Sequence, residues 1–291
     1  MMMPSGVTVA LPGGYWLDGV CYREAGLRPL TGEDEAFLFE TDHVLLPAQR
    51  ITAVLARCLT RLGPLHPVPP QAVQQLTIGD REALLLHLRR LTLGERLACV
   101  LRCPHANCGE KMDVELRVGD LLLAAYPHTQ AFHEATVMGQ GTPYRVRFRL
   151  PTGGDQEAAS SLAGAGPQAG VELLLRRCVE HVLADDERPM TTIPPAVARE
   201  LPTLMARLDP QAELTLNLVC PVCGRAFSTL FDTAAYFFQE VSSRVTHLYR
   251  EVHCLAWHYH WSEAEILAMT GGKRQLYLGF LAEALSERRE R

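Results

Sequence analysis

Two short cysteine-containing stretches decide the expected fold of this chain: Cys103-Pro-His-Ala-Asn-Cys108-Gly and Cys220-Pro-Val-Cys223-Gly. Alternating apolar residues precede and follow each stretch, which is typical of a tight turn at the tip of a β-hairpin. Thiolates two to four residues apart on such a turn can approach a zinc ion from one side. Together the turns predict one closed structural zinc site per chain, with four ligands: Cys103, Cys108, Cys220 and Cys223.

Three other interpretations of these turns stay open. His105, inside the first turn, could replace a cysteine as a ligand. The pairs could also be redox-active, although neither opens a helix, where a thiolate would be stabilised. Finally, the two turns could be unrelated. Four thiolates around one ion leave no position for water, so the favoured site is structural rather than catalytic.

Composition narrows the class of protein. The chain has 291 residues, of which 47% are hydrophobic and 21% charged, and these are ordinary globular values. The formal net charge of −5 gives no general attraction to phosphate, which disfavours nucleic acid as the main partner. Nine cysteines, an odd number with five scattered singly, predict a reducing compartment. We expect no signal peptide and no membrane-spanning segment.

A second cluster of possible ligands lies near the C-terminus, where His253, His258 and His260 accompany two tryptophans. Imidazoles at this density could hold a catalytic metal, as in a hydrolase. No acidic ligand lies at a matching spacing, and packing at a junction between two helices is the favoured interpretation. Nucleophile-elbow and phosphate-loop motifs are absent from the sequence, so we expect a non-enzymatic protein.

The pattern of elements predicts an α+β protein. Its centre is a split zinc ribbon of two Cys-tipped β-hairpins, with flanking helices and a mixed α/β insertion. Five segments follow from this interpretation: 1–70, an N-terminal hairpin and helices; 71–120, a helix and the first zinc hairpin; 121–211, the inserted α/β segment; 212–232, the second zinc hairpin; and 233–291, a helical region.

Several local predictions can be compared with the structure. Thr31, Thr77, Thr152 and Ser262 each have a side chain and a following acidic residue suited to capping a helix. Gly13-Gly14 is expected to turn a hairpin, residues 171–183 to form a helix, and residues 158–170 to form a frayed helix end and link. The side chains of Arg81, Arg89 and Arg90 are expected to lie in solvent. No repeat with a period of 20–50 residues is found.

Several stretches together resemble the baseplate hub assembly chaperone family of T-even-type phages, which has relatives in bacterial contractile injection systems. The resemblance covers most of the chain. It rests on the run from Leu76 to Arg96 leading into the first cysteine turn, on Phe148-Arg-Leu-Pro-Thr-Gly153, on the second cysteine turn, and on the run from Glu251 to Leu267. In the family the cysteine turns are paired in the same way, although the first pair here is spaced more widely.

This resemblance implies a non-enzymatic protein that binds other baseplate, hub or spike subunits. The protein would be either a transient assembly factor or a retained component of a phage tail or phage-tail-like particle, assembled in the bacterial cytoplasm. The family assigns no catalytic residues, so none is expected here. The alternative functions are a zinc-ribbon adaptor for nucleic acid and, less favoured, a metal hydrolase using the three C-terminal histidines.

Overall fold

The structure, a computed structural model, describes residues 6–139, 141–162 and 166–289. It is a mixed α+β fold in which the described strands form four small antiparallel sheets. The α+β class predicted from the sequence is therefore confirmed. No helix in the described part of the chain is both long and apolar enough to cross a membrane.

The chain begins with a three-stranded sheet and two helices, which we call the first unit. Its elements are β1 (Val7–Leu17), β2 (Val20–Leu27), α1 (Gly32–Glu40), α2 (Pro47–Cys58) and β3 (Leu59–Leu62). Two helices, a hairpin and a short helix follow: α3 (Pro70–Gln75), α4 (Ile78–Leu93), β4 (Arg96–Arg102), β5 (Lys111–Arg117) and α5 (Val118–Leu121).

The same order of elements then returns. The second unit consists of β6 (His133–Gly139), β7 (Thr142–Phe148), α6 (Gly153–Ser160), α7 (Pro167–Cys178) and β8 (Val179–Leu183). A helix, a 3-10 turn and a second hairpin follow: α8 (Pro195–Leu208), Pro210–Ala212, β9 (Thr215–Val219) and β10 (Ala226–Leu230). Three helices end the chain: α9 (Thr233–Tyr259), α10 (Glu263–Leu267) and α11 (Gly271–Arg289).

The two units agree in register as well as in order. In the first, Leu27 pairs with Leu59 across a register shift next to Gly26, and in the second Phe148 pairs with Val179 across a shift next to Arg147. Helices α2 and α7 are both twelve residues long, start with proline and end with Arg-Cys. The chain is thus built from two copies of one arrangement, about 120 residues apart, each followed by a cysteine-tipped hairpin.

The cores of the two units differ in what covers them. The first unit contributes α2 and its sheet to the largest apolar cluster, which also takes in α4 and the aromatic residues Phe237 and Phe238 of α9. The second unit packs its sheet and α7 against α8, through Val197, Leu201 and Met205. The N-terminal part of helix α9 therefore packs in the core of the first unit, and its C-terminal half forms a further apolar cluster with α10.

The predicted caps hold, because they depend on residues close in sequence. Capping boxes start α1 at Thr31, α6 at Thr152 and α10 at Ser262. The Thr77 hydroxyl accepts a hydrogen bond from the Asp80 N–H at the start of α4. These four helix starts were predictable because each is decided within one turn of the chain.

Three predictions about local structure were wrong, those for the first hairpin turn, for residues 179–183 and for the arginines of α4. The first hairpin turns at Asp18-Gly19, because Gly13 and Gly14 form an irregularity inside β1 and donate their N–H groups to the Asp80 carboxylate. Residues 179–183 form β8 rather than the end of a helix, since they pair with β7. In the predicted link, α6 ends at Ser160 and α7 begins at Pro167, and residues 163–165 lie outside the described residues.

The third error concerns the arginines of α4. Arg81 is buried and donates hydrogen bonds to the carbonyl oxygen of Ala48 and to the hydroxyl of Thr52. Arg89 is buried as well and forms a two-pronged ion pair with Glu240 of α9. Only Arg90 is partly exposed. Arginine can be buried where most of its donors find acceptors, although the Nε of Arg81 finds none among the described residues, so a position off the apolar stripe need not face solvent.

Candidate metal centre

The two cysteine turns have the same backbone construction. In the first, the Cys103 N–H donates to the Glu110 carbonyl oxygen across the base of the turn, and in the second the Cys220 N–H donates to that of Arg225. Gly109 and Gly224, each directly after the second cysteine, have φ of +63° and +68°. This left-handed conformation favours glycine, which explains why both turns end Cys-Gly.

The hairpins belong to separate two-stranded sheets and meet at their tips. The Sγ atoms of Cys103 and Cys223 are 3.8 Å apart, and those of Cys108 and Cys220 are 3.7 Å apart. All four sulfur atoms lie within 4.8 Å of one another. The structure therefore brings together all four cysteines that the sequence singled out, although more than a hundred residues separate the pairs.

The spacing of the sulfur atoms fits a tetrahedral ion. A zinc–sulfur distance of about 2.3 Å requires tetrahedron edges of about 3.8 Å, which is the separation seen across the two pairs. A disulfide would need sulfur atoms about 2.0 Å apart, and all four cysteines are free thiols here. The geometry and the donor set could hold a metal ion, and the role of these cysteines as ligands stays a prediction.

Backbone amides point at the sulfur atoms. The Cys103 sulfur accepts from the His105 N–H, that of Cys108 from the Glu110 N–H, and that of Cys220 from those of Cys223 and Val222. The amide of Cys223 contributes most to lowering the pKa of Cys220 to about 7. Burial, together with the neighbouring sulfur atoms, raises the pKa of Cys103 to about 12. A cation among the sulfur atoms would remove this obstacle to ionisation.

A small apolar cluster surrounds the site. Cys103 and Cys220 are buried with Met112, and Phe227 packs partly against them, whereas Cys223 is exposed. The ring of His105 lies edge-on to that of Phe227, with 6.4 Å between their centres, and is not part of the cysteine group. The group of side chains close enough to share an ion consists of the four cysteines, and it does not support the alternative in which His105 replaces one of them.

The C-terminal histidines do not come together in this way. His253, His258 and His260 are all exposed near the end of α9, where His260 ends the helix with φ of +57°. Among the residues that the structure describes, the four cysteines form the one group of three or more His, Cys, Asp or Glu side chains able to share an ion. The hydrolase interpretation therefore has no assembled site in that part of the chain, and the three histidines are exposed rather than buried at the junction.

The sequence interpretation missed two matching clusters of charged side chains, one in each unit. Asp34 accepts hydrogen bonds from Arg28 and Arg57, and the Arg28 N–H donates to the carbonyl oxygen of Cys58 at 3.0 Å. In the second unit Asp155 accepts from Arg149 and Arg177, and the Arg149 N–H donates to Cys178 at 2.9 Å.

A signal for these clusters was present in the sequence. Arg-x-x-Thr-Gly-x-Asp occurs at residues 28–34 and again at 149–155, and Arg-Cys ends a helix in each unit. Comparing segments about 120 residues apart would have found this repeated signal.

Burial alone would raise the pKa of Asp34, but the Arg28 guanidinium and the Thr31 N–H lower it overall. Both clusters are therefore built for ionised carboxylates that hold a unit together.

Comparison with known proteins identifies the class of protein. A protein-family model described as T4 bacteriophage base plate protein matches residues 22–239, which includes the first unit from within β2 onward, the whole second unit and both cysteine hairpins. Since the match covers well over half of the chain, the protein belongs to this phage baseplate family, and the predicted resemblance to a phage baseplate family is confirmed. No curated protein and no solved structure matches the chain.

Membership of the phage baseplate family indicates a general function. A protein of a baseplate family is a component of a phage particle that works in contact with other baseplate proteins. Helices α10 and α11 lie beyond the matched residues.

Proposed function

We propose that this chain is a non-enzymatic structural or assembly component of the baseplate or hub of a phage tail or a phage-tail-like contractile injection system. It acts through contacts with other baseplate, hub and spike subunits, in the manner of an assembly chaperone, in the bacterial cytoplasm where particles are built. The observation that carries this proposal is the family match across residues 22–239. The absence of an assembled histidine site in the described residues adds to it.

We further propose that one zinc ion per chain stabilises this fold as a split zinc ribbon, bound by Cys103, Cys108, Cys220 and Cys223. Two sulfur–sulfur separations of 3.7 and 3.8 Å and the amides directed at the sulfur atoms support zinc, since a closed thiolate set is typical of structural zinc sites. The zinc would join the hairpin that follows the first unit to the one that follows the second. The five segments expected from the sequence stay a prediction.

The function can be tested with particles. A tagged chain should co-purify with baseplate proteins from cells that produce the particle, and deleting its gene should leave tails without complete baseplates. Mass spectrometry of finished particles then separates a retained subunit from a transient chaperone. Normal particles from the deletion strain, together with no co-purifying baseplate protein, would contradict the proposal.

A further inference from the structure

An apolar cleft opens between α7 and α8 on the second unit. Its volume is about 310 Å³, and its walls come mainly from Val171 and Leu174 of α7 and from Pro202 and Met205 of α8. Val171 is 41% exposed, although it lies on the same face of α7 as the buried Leu175. The second unit thus leaves part of an apolar helix face uncovered.

The equivalent face of α2 in the first unit indicates what kind of element can cover this face of α7. Counting from the Arg-Cys pair at the end of each helix, Val171 and Leu174 correspond to Ile51 and Val54 of α2. Ile51 is only 2% exposed and Val54 is fully buried, in the apolar cluster that also contains residues of helices α4 and α9. These two helices contribute leucines and the adjacent aromatic rings of Phe237 and Phe238 to the cluster. The matching occupant for the second unit is therefore another helix with large apolar side chains.

Within the described residues, helix α11 leaves such a face exposed. Leu276 is 56% exposed and Phe280 is 50% exposed, and residues four apart lie on one side of a helix. Lys273, three residues before Leu276, is exposed on the same side. The opposite side of the helix is held to the protein body by Arg274, which forms ion pairs with Glu35 and Glu251.

Charge complementarity links the helix to the cleft. Two acidic residues line the cleft, and one of them, Asp209, is buried with its carboxylate accepting from the Gly79 N–H and the Tyr126 hydroxyl. The other, Glu213, is exposed at the rim. A basic residue next to large apolar side chains is what such a cleft would recognise, and the exposed face of α11 carries that combination.

We propose that the Lys273–Leu276–Phe280 face of α11 docks into the α7–α8 cleft of a second copy of this chain. Leu276 and Phe280 fill the space between Val171 and Met205, and Lys273 lies beside Glu213. The helix and the cleft are different surfaces, so each copy offers a helix to a neighbour and receives one, which permits rings or open chains. This inference goes beyond the proposed function, because it concerns copies of this chain rather than other baseplate subunits.

Sedimentation of the purified chain over a wide range of concentrations tests the proposal. The mass should rise above that of the monomer with concentration, and Val171→Asp or Phe280→Asp should each weaken association by about 10-fold or more. Both positions are exposed, so the variants should still fold, as circular dichroism and thermal melting would check. Val44→Asp, at a position 76% exposed on another part of the surface, is the matched control and should associate like the parent.

A charge swap tests the pairing itself. Glu213→Lys and Lys273→Glu should each weaken association by about 5-fold, and combining them in one chain should restore it, because every contact then has opposite charges again. A chain that stays monomeric at all concentrations overturns the proposal and leaves the cleft to a helix from another subunit. It is equally overturned if association is unaffected by Val171→Asp and Phe280→Asp, or if the double swap is weaker than either single change.

Discussion

Asp34 and Asp155 hold matching positions in the two units, each between two arginines and each bonded to the threonine three residues before it. Each carboxylate thereby ties the start of one helix to the end of a strand and to the end of the next helix. A buried charge without its partner costs free energy of folding, so the cluster favours the one arrangement of strand and helices in which all three charges are paired.

Asp34→Asn should destabilise the protein strongly. The change removes a buried negative charge and leaves Arg28, which is itself buried, without its ion pair. Breaking a buried pair by removing one partner costs about 3–5 kcal/mol, and urea-induced unfolding would measure it. Asp42→Asn is the control, because Asp42 pairs with Arg50 at a more exposed site and should cost less than about 1 kcal/mol. A small, equal effect of both changes would contradict the assigned role.

Cys220→Ser should lower the melting temperature and abolish metal binding. Structural zinc contributes directly to folding, so we expect a decrease of about 10 °C or more, and the same effect from a strong chelator on the parent protein. Elemental analysis should give one zinc per chain before the change and none after it. Cys254→Ser, at a half-buried cysteine outside the cluster, should leave both metal content and melting temperature unchanged. A metal-free parent with the same stability as the Cys220 variant would dismiss the site.

Asp80 should make stability fall as the pH rises from about 4 to about 6. Burial, added to by the nearby Asp209 carboxylate, raises the pKa of Asp80 to about 6 from an ordinary value of 3.8. The folded protein therefore binds a proton that the unfolded chain releases, and the stabilisation present at low pH is lost as the pH passes the raised pKa. The difference amounts to about 3 kcal/mol.

The Asp80→Asn variant provides the measurement. Its amide oxygen can still accept from the Gly13 and Gly14 N–H groups, but it does not titrate. We expect the variant to gain unfolding free energy relative to the parent between pH 4 and pH 6, as followed by urea unfolding at each pH. Asp34 works in the opposite direction at lower pH, because its lowered pKa means that its stabilisation is lost on acidification. Parallel pH profiles for parent and variant would show that Asp80 ionises normally.

Gly79→Ala should destabilise the junction between α4 and the segment after α8. A methyl group at Gly79 would lie 1.8 Å from an oxygen of Asp209, whose carboxylate accepts from the Gly79 N–H at 2.9 Å. Overpacking of this kind costs about 1–3 kcal/mol, measurable by thermal or urea unfolding. Gly272→Ala is the control, since a methyl group there meets nothing within 4 Å, and it should be neutral or slightly stabilising. Equal stabilities for the two variants would mean that the junction yields easily.

Local signals carried most of what the sequence could predict. The cysteine turns depend on a few adjacent residues, and so do the capped helix starts at Thr31, Thr152 and Ser262. The convergence of the two turns was also predictable, because a single thiolate pair cannot complete a tetrahedral site. The chemistry of the ligands thus indicated a contact between residues more than a hundred positions apart.

What the sequence did not reveal depends on packing between distant parts. The duplicated units share few identical residues, and the conserved feature is a strand register and a cluster around an aspartate. Residues 179–183 have an apolar pattern that suits a helix or a strand, and pairing with β7 decides between them. Arg81 became a core residue because acceptors on α2 and α3 lie around its guanidinium, among them the carbonyl oxygens of Ala48 and Val73, and no pattern within α4 indicates those acceptors.

The division of the four cysteines between two hairpins also has a consequence for biosynthesis. Cys103 and Cys108 leave the ribosome more than a hundred residues ahead of Cys220 and Cys223, so for the proposed zinc site their thiols would have to stay reduced while the entire second unit is made. Closing so long a loop costs conformational entropy, and the contacts that offset this cost form only when both hairpins are present. A product truncated before Cys220 would lack two of the four proposed zinc ligands, so the proposed site can form only after translation has passed Cys223.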